Sequence, residues 1–214
     1  MNYTNLVQSI KDFTENEETT FVSQLDTFIE FAELRILRDV DLNAARKYAT
    51  ATLATGDTFL SLPTDAVVVR SVQVIDDNAR DYLQQKDPSF INEYITDRTV
   101  TGTPRYYTHH DHNTLLIVPA PSSDLTVEVG YTHRPTHLSS TNETNWLGDE
   151  APNVLLYAVL VEAYMFMKGE GELLSTYEQK YGQALQALLM EENLRNRQDE
   201  YINRTIKFTQ QRTK

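Results

Sequence analysis

The sequence predicts a mixed α+β fold: a helical bundle from both chain ends, with an inserted small antiparallel β-domain and a long C-terminal helix or extension. Three observations carry this. Apolar residues recur at spacings of three and four over residues 1–42 and again after Pro135. Between these stretches they recur by twos in short β-branched runs, and the chain turns hydrophilic after Met190. Neither helical end is large enough to bury its own stripe, so the two are expected to pack on one another. The predicted parts are a discontinuous bundle over 1–42 and 138–190, a β-domain over 43–137, and a C-terminal extension over 191–214.

The elements follow in order. Leu6, Ile10 and Phe13 fall at i, i+4, i+7 behind Thr4, and Phe21, Leu25, Phe28, Ile29, Ala32, Ile36 and Val40 continue a one-sided stripe, so two helices are expected. Thr14-Glu15-Asn16-Glu17 has the form of a capping box for the second, which places the break near residues 12–18. Lys47–Leu53 and Thr58–Leu62 alternate by twos around Gly56-Asp57 and predict a hairpin. Val67–Val74, Tyr106–Thr108, Leu115–Val118 and Leu125–Tyr131 supply further strands, giving about six in a small sandwich or curled sheet. Asp87-Pro88 before Ser89–Tyr94 is a cap followed by proline at the first helical position, which predicts one short helix among the strands. Val154, Leu155, Ala158, Leu160, Val161 and Met165 make a helix apolar over most of its girth. Its burial must be completed by the last helix or by neighbouring copies. Gly169-Glu170-Gly171 is expected to end it, and Leu173, Leu174, Tyr177, Tyr181, Leu185, Leu188 and Leu189 begin the last helix.

Composition excludes several classes of function. With 31 acidic and 19 basic residues the net charge is −12, which repels phosphate and argues against sequence-specific nucleic-acid binding. The absence of cysteine removes disulfides, thiolate metal sites and cysteine nucleophiles. The Val154–Met167 run is interrupted by Glu162 and is too short to span a bilayer, and no signal peptide or membrane association is expected. There is no Gly-x-Ser-x-Gly elbow, Gly-rich phosphate loop or His-Glu-x-x-His helix, and the acidic pairs are sequence neighbours that do not face each other on helices. No catalytic constellation, metal site or cofactor is predicted.

Two segments remain as candidate sites. His109-His110-Asp111-His112 is the densest polar cluster. Imidazoles and a carboxylate suit zinc or nickel, but the cluster lies between two strand candidates with turn-forming Asp111 and Asn113, so an exposed hairpin tip is the simpler reading. Residues 191–214 carry six basic and four acidic groups, net +2, leaving −14 on the rest of the chain. There Arg195, Arg197, Arg204, Lys207 and Arg212 interleave with Tyr201, Ile206 and Phe208, the pattern of a segment that docks on another chain.

Several segments together resemble one family. They are Phe28–Asp39; Gly102-Thr103-Pro104-Arg105-Tyr106-Tyr107 and the following strand closing in Val118-Pro119-Ala120-Pro121; Val129–Pro135; Leu138-Ser139; Thr144-Asn145-Trp146-Leu147; and Pro152–Ala163. In this order they look like the head-to-tail adaptor family of tailed bacteriophages, over most of residues 1–190, with a departure at His109–Asn113, where family members often have a glycine-containing turn. The resemblance implies a structural, non-enzymatic virion protein of the neck, made in the host cytoplasm. It further implies a homo-oligomeric ring, typically of twelve subunits, that joins the portal protein to the tail nozzle or tail-tube protein and lets DNA pass. By analogy Arg195, Arg197, Tyr201, Arg204, Ile206, Lys207, Phe208 and Arg212 bind the portal, and His109, His110, Asp111 and His112 meet the tail partner. Two other readings stand beside it. One is a β-sandwich receptor- or glycan-binding virion module using exposed Tyr106, Tyr107 and Tyr131; the other is a metal-dependent hydrolase using the histidines.

Overall fold

The computed structural model describes residues 1–76 and 79–205, with the side chains of the last helix through Arg195. The fold is mixed α+β, in two compact units: Met1–Ala44 with Thr136 onward, and Ala45–Pro135.

In the helical unit, α1 (Tyr3–Thr14) starts where the Asn2 side chain accepts the amide of Asn5, and it buries Leu6 and Ile10. The expected capping box does not form. Thr14 is the last residue of α1, and its hydroxyl donates back to the Ile10 carbonyl at 2.8 Å. Glu15 turns the chain in the left-handed region at φ 47°, and the Asn16 side chain accepts the amide of Glu18 at 2.9 Å. The long stripe that reads as one helix is two, α2 (Thr19–Val22) and α3 (Leu25–Asp39), broken at Ser23-Gln24. The stripe itself survives the break: Phe21, Leu25, Phe28, Ile29, Ala32 and Ile36 are all buried.

The chain re-enters this unit through α5 (Trp146–Glu150), α6 (Pro152–Met167) and α7 (Gly171–Thr205). Helices α1, α3, α5 and α7 all pack on α6, whose Leu155, Ala158, Val159, Leu160, Val161 and Ala163 have no exposed surface. Cover from its own chain, the last helix included, thus accounts for the apolar girth of α6 as far as Ala163, whereas Met165, expected on the same girth, is exposed at the end of the helix. Lys168 caps α6 in the left-handed region at φ 52°, with the Gly169 amide on the Tyr164 carbonyl at 3.0 Å. Gly171, expected to belong to the stop, is the first residue of α7.

The β-unit holds one sheet of β1 (Arg46–Leu53), β10 (Leu125–His133), β3 (Ala66–Asp76) and β4 (Ala79–Tyr82), in that spatial order. A second sheet runs β2 (Phe59–Ser61), β8 (Thr114–Val118), β7 (Tyr106–His109), β5 (Gln84–Gln85). Their inner faces share one core that includes Leu53, Val72, Val127, Val129, Leu115 and Ile117. The expected hairpin of residues 47–62 is absent, because its two strands belong to different sheets: β1 pairs with β10 over eight residues and β2 with β8 over three. The crossing is made at Gly56, φ 77°, whose amide bonds the Pro121 carbonyl at 2.9 Å, while the Thr55 amide and hydroxyl both reach Asp124 Oδ1 at 2.8 Å. Pairing is antiparallel except at two two-residue contacts, β5 with β7 and β6 (Thr101–Gly102) with β9 (Ala120–Pro121), which are parallel and correct the expectation of a purely antiparallel insert. Helix α4 (Pro88–Tyr94) starts as expected, with the Asp87 carboxylate accepting the Ser89 amide at 2.9 Å. Its Ile91 covers Leu116 and Val118, so β8 is buried on both faces and reads as a continuous apolar run.

Leu160→Ala should cost about 2–5 kcal/mol through the cavity left on α6. Leu160→Asp should abolish folding, since an unpaired buried carboxylate costs several kcal/mol on its own. Thermal melting followed by circular dichroism measures both; a Leu160→Asp chain that melts like the native one would refute the central place of α6.

Candidate functional site

The segments that carry the family resemblance are scattered in sequence, and those of the helical unit meet in space around α3. Glu33 sits on the apolar stripe, four residues after Ile29 and three before Ile36, and is buried. Its carboxylate accepts the Leu138 amide at 3.2 and 3.3 Å and the Asn145 side-chain amide at 2.7 Å. Asn145 in turn caps α5 by accepting the Gly148 amide at 2.9 Å. Two residues on, Arg35 grips Glu178 of α7 with both terminal nitrogens, at 3.2 and 2.8 Å, and lies 4.4 Å over the Tyr181 ring. The Tyr181 hydroxyl donates to Asp39 at 2.8 Å. Helix α3 therefore presents its charged residues as fasteners, one set to the returning chain and one to the last helix.

Burial pushes the Glu33 carboxyl above the ordinary glutamate range, against the Asn145 and Leu138 hydrogen bonds that favour its charged form. Burial and the Asp39 contact likewise raise the Tyr181 phenol, and burial with the Asp26 bond pushes Tyr3 up to about 12. A second buried carboxylate, Glu192 of α7, accepts the Asn43 amide at 3.0 Å and the Arg195 guanidinium at 3.2 Å. Sequence patterning does not single out Glu33, and it reads the neighbours Glu191-Glu192 as a solvated face, whereas Glu192 is buried because it accepts the Asn43 amide and the Arg195 guanidinium. The available signal was a glutamate at a stripe position, since Glu192 follows Leu188 by four as Glu33 follows Ile29.

In the β-unit, residues His109 to Asn113 form the exposed tip of the β7–β8 hairpin. The Asp111 carboxylate accepts the Asn113 amide at 2.8 Å, which holds it below the usual range. The histidines diverge: the His110 ring packs on Phe59 at 4.9 Å, while His112 lines a shallow depression of about 320 Å³ with Thr64, Asp65 and Arg134. Half-buried His133 has its Nδ1 2.9 Å from the Ala45 carbonyl oxygen, and His137 is exposed. Among the described residues no three histidine, aspartate or glutamate side chains converge as metal ligands would. Tyr107 and Tyr131 are core residues, and Tyr106 is half-buried against Phe90 and Tyr94, so these three do not form the exposed platform a glycan site needs.

The C-terminal candidates begin on α7. Arg195 is exposed and paired with Glu191 at 3.4 Å as well as with Glu192. Arg197, Tyr201 and Arg204 lie on the helical backbone that continues to Thr205, beyond the described side chains, and Ile206, Lys207, Phe208 and Arg212 fall outside the described residues. The family model described as SU10 adaptor protein matches residues 1–206, which takes in the helical unit, the β-unit and most of the extension. The chain belongs to this phage head–tail adaptor family. Comparison with curated proteins found no match. As a phage adaptor it is a structural component of the virion that meets other head and tail proteins. Its match runs past residue 190, so the start of the extension belongs to the adaptor pattern together with the core.

Glu33 gives a pH signature. A carboxyl that holds its proton more tightly folded than unfolded contributes stability that declines as pH rises from the ordinary value of 4.5 through its raised native value. Glu33→Gln removes that slope. The melting temperature of the variant minus that of the native chain should become more positive from pH 4.5 toward neutrality, and a pH-independent difference would contradict a raised Glu33.

Proposed function

We propose that this adaptor forms a ring, of about twelve copies by the family resemblance, that joins the portal of the capsid to the tail nozzle or tube and lets DNA pass. The observation that carries this reading is the family match across residues 1–206. The segregation of charge supports a docking role for the extension. Residues 201–214 hold four basic and no acidic side chains on a chain of net −12, with Tyr201, Ile206 and Phe208 as apolar anchors. In this reading Arg195, Arg197, Tyr201, Arg204, Ile206, Lys207, Phe208 and Arg212 bind the portal protein. The hairpin tip, with His109, His110, Asp111 and His112, meets the next tail protein. The tip suits that role because it projects from β7 and β8 with its polar side chains exposed.

Deleting residues 196–214 should abolish attachment to portal-bearing capsids, while circular dichroism and melting of the remaining chain change little, because it keeps Tyr181 and Leu188, the buried apolar contacts of α7 among the described residues. Retained attachment would move the portal contact elsewhere. Replacing both His110 and His112 with Ala should leave fold and portal attachment intact and weaken only the joining of the tail, read by electron microscopy as filled heads that carry the adaptor but lack tails. A double variant that fails to fold would show that the tip is structural.

A further inference from the structure

The sheet of β1, β10, β3 and β4 has β1 and β4 as its two edge strands, and among the described residues neither pairs with a further strand on its outer side. Along β1 the run Tyr48–Leu53 has no charge and no proline, pairs with β10 without a bulge, and exposes Tyr48, Thr50, Ala51 and Thr52. Natural sheets guard such an edge with charges, proline, bulges or cover; along β1 charge stands only at Arg46 and Lys47, at the start of the strand. At the other edge β4 is exposed at each of its four positions. Tyr48 and Tyr82, both 70% exposed, are the most exposed large apolar side chains among the described residues, and one stands at each edge. They share a face, since Tyr82 opposes Gln73, Gln73 opposes Glu128, and Glu128 opposes Thr50, two residues from Tyr48.

We propose that β1 of one copy pairs antiparallel with β4 of a second copy, so that the sheet continues from subunit to subunit. Strand direction alternates through β1, β10, β3 and β4, so the strand next to β4 in a continuing antiparallel sheet runs as β1 does. Registers that keep the inner and outer faces in line differ by two residues. Among them, the one that sets Lys47 opposite Asp81 also sets Tyr48 opposite Arg80 and Ala49 opposite Ala79. Opposite charges then meet at 47 and 81, while the Arg80 guanidinium stays on Glu128 of its own subunit at 3.2 Å. Lys47 holds Asp65 at 3.0 Å within its own subunit, and its ammonium has further protons for a second carboxylate. Gly130 lets the Tyr48 ring lie across β10, since a Cβ there would lie 2.6 Å from the Ser71 hydroxyl oxygen and 2.9 Å from the ring. Because the two edges differ, the contact is heterologous and repeats around a ring without closing as a dimer. The contact rests on the ring reading above and adds which strands join.

The chain has no cysteine, so introduced thiols are unique reporters. Within one copy positions 49 and 79 are three strand spacings and four residues of strand apart, about 19 Å, beyond disulfide reach. Virions carrying the A49C/A79C chain, oxidised and run on a non-reducing gel, should show a ladder of covalent multimers, with each single variant monomeric. Incorporated chain that stays monomeric overturns the strand contact and leaves the adaptor function standing; a dimer from A49C alone overturns it in favour of symmetric β1–β1 pairing. Asp81→Lys, which sets two cations opposite each other, should lower the amount of chain per virion about tenfold while melting of the free chain is unchanged. Undiminished incorporation overturns the register and the contact together.

Discussion

Two buried carboxylates hold together a helical unit whose sequence is interrupted. The chain leaves this unit after Ala44 and returns at Thr136, and near each passage a backbone amide is held by a glutamate: Asn43 by Glu192, Leu138 by Glu33. An amide held by a charged acceptor in a low-dielectric site is among the stronger neutral-to-charged contacts available to a protein. It is also directional, so the two passages are fixed in position as well as in proximity. The cost is the desolvation that raises the Glu33 carboxyl, and the surrounding Asn145 and Leu138 donors offset it.

Helix α6 supplies the apolar side of the same arrangement. It comes after the interruption in sequence, yet it is the element on which the helices from before it close. Charged and apolar contacts divide the work along α3: its Phe28, Ile29, Ala32 and Ile36 face the core, while Glu33, Arg35 and Asp39 reach the returning chain and α7. Apolar burial brings the helices together, and the polar contacts select one register, since sliding α7 by a turn would part Glu178 from Arg35 and Tyr181 from Asp39 at once.

What was legible in the sequence was whatever a period or a cap encodes. The α3 stripe, the girth of α6, the alternation of β3 and β10 and the Asp87-Pro88 start of α4 all depend on side chains close in sequence, and the structure has each of them. The hairpin of residues 47–62 was misread because alternation says which residues share a face, not which strand lies beside them. The pairing of β1 was settled by β10, some eighty residues away. The capping box was misread because Thr14 had two backbone partners within reach, and the carbonyl of its own helix won. Strand β4, exposed throughout, has no apolar alternation to betray it. Of the candidate surfaces, the hairpin tip was visible from its turn residues, whereas the two glutamate clamps and the open sheet edges became visible only once distant segments were paired.

The pairing of β1 with β10 has a consequence for biosynthesis. Arg46 lies opposite Thr132, so when the insert folds it brings its own two ends together on neighbouring strands. Helices α1 to α3 leave the ribosome with their stripe bare and wait for α6, which is made more than a hundred residues later, a delay of roughly 6–20 s at ordinary elongation rates. Closing a flexible loop the length of the insert would cost about 4 kcal/mol of chain entropy. A folded insert has already met that cost from its own core, so the early helices find α6 delivered beside them instead of having to search for it.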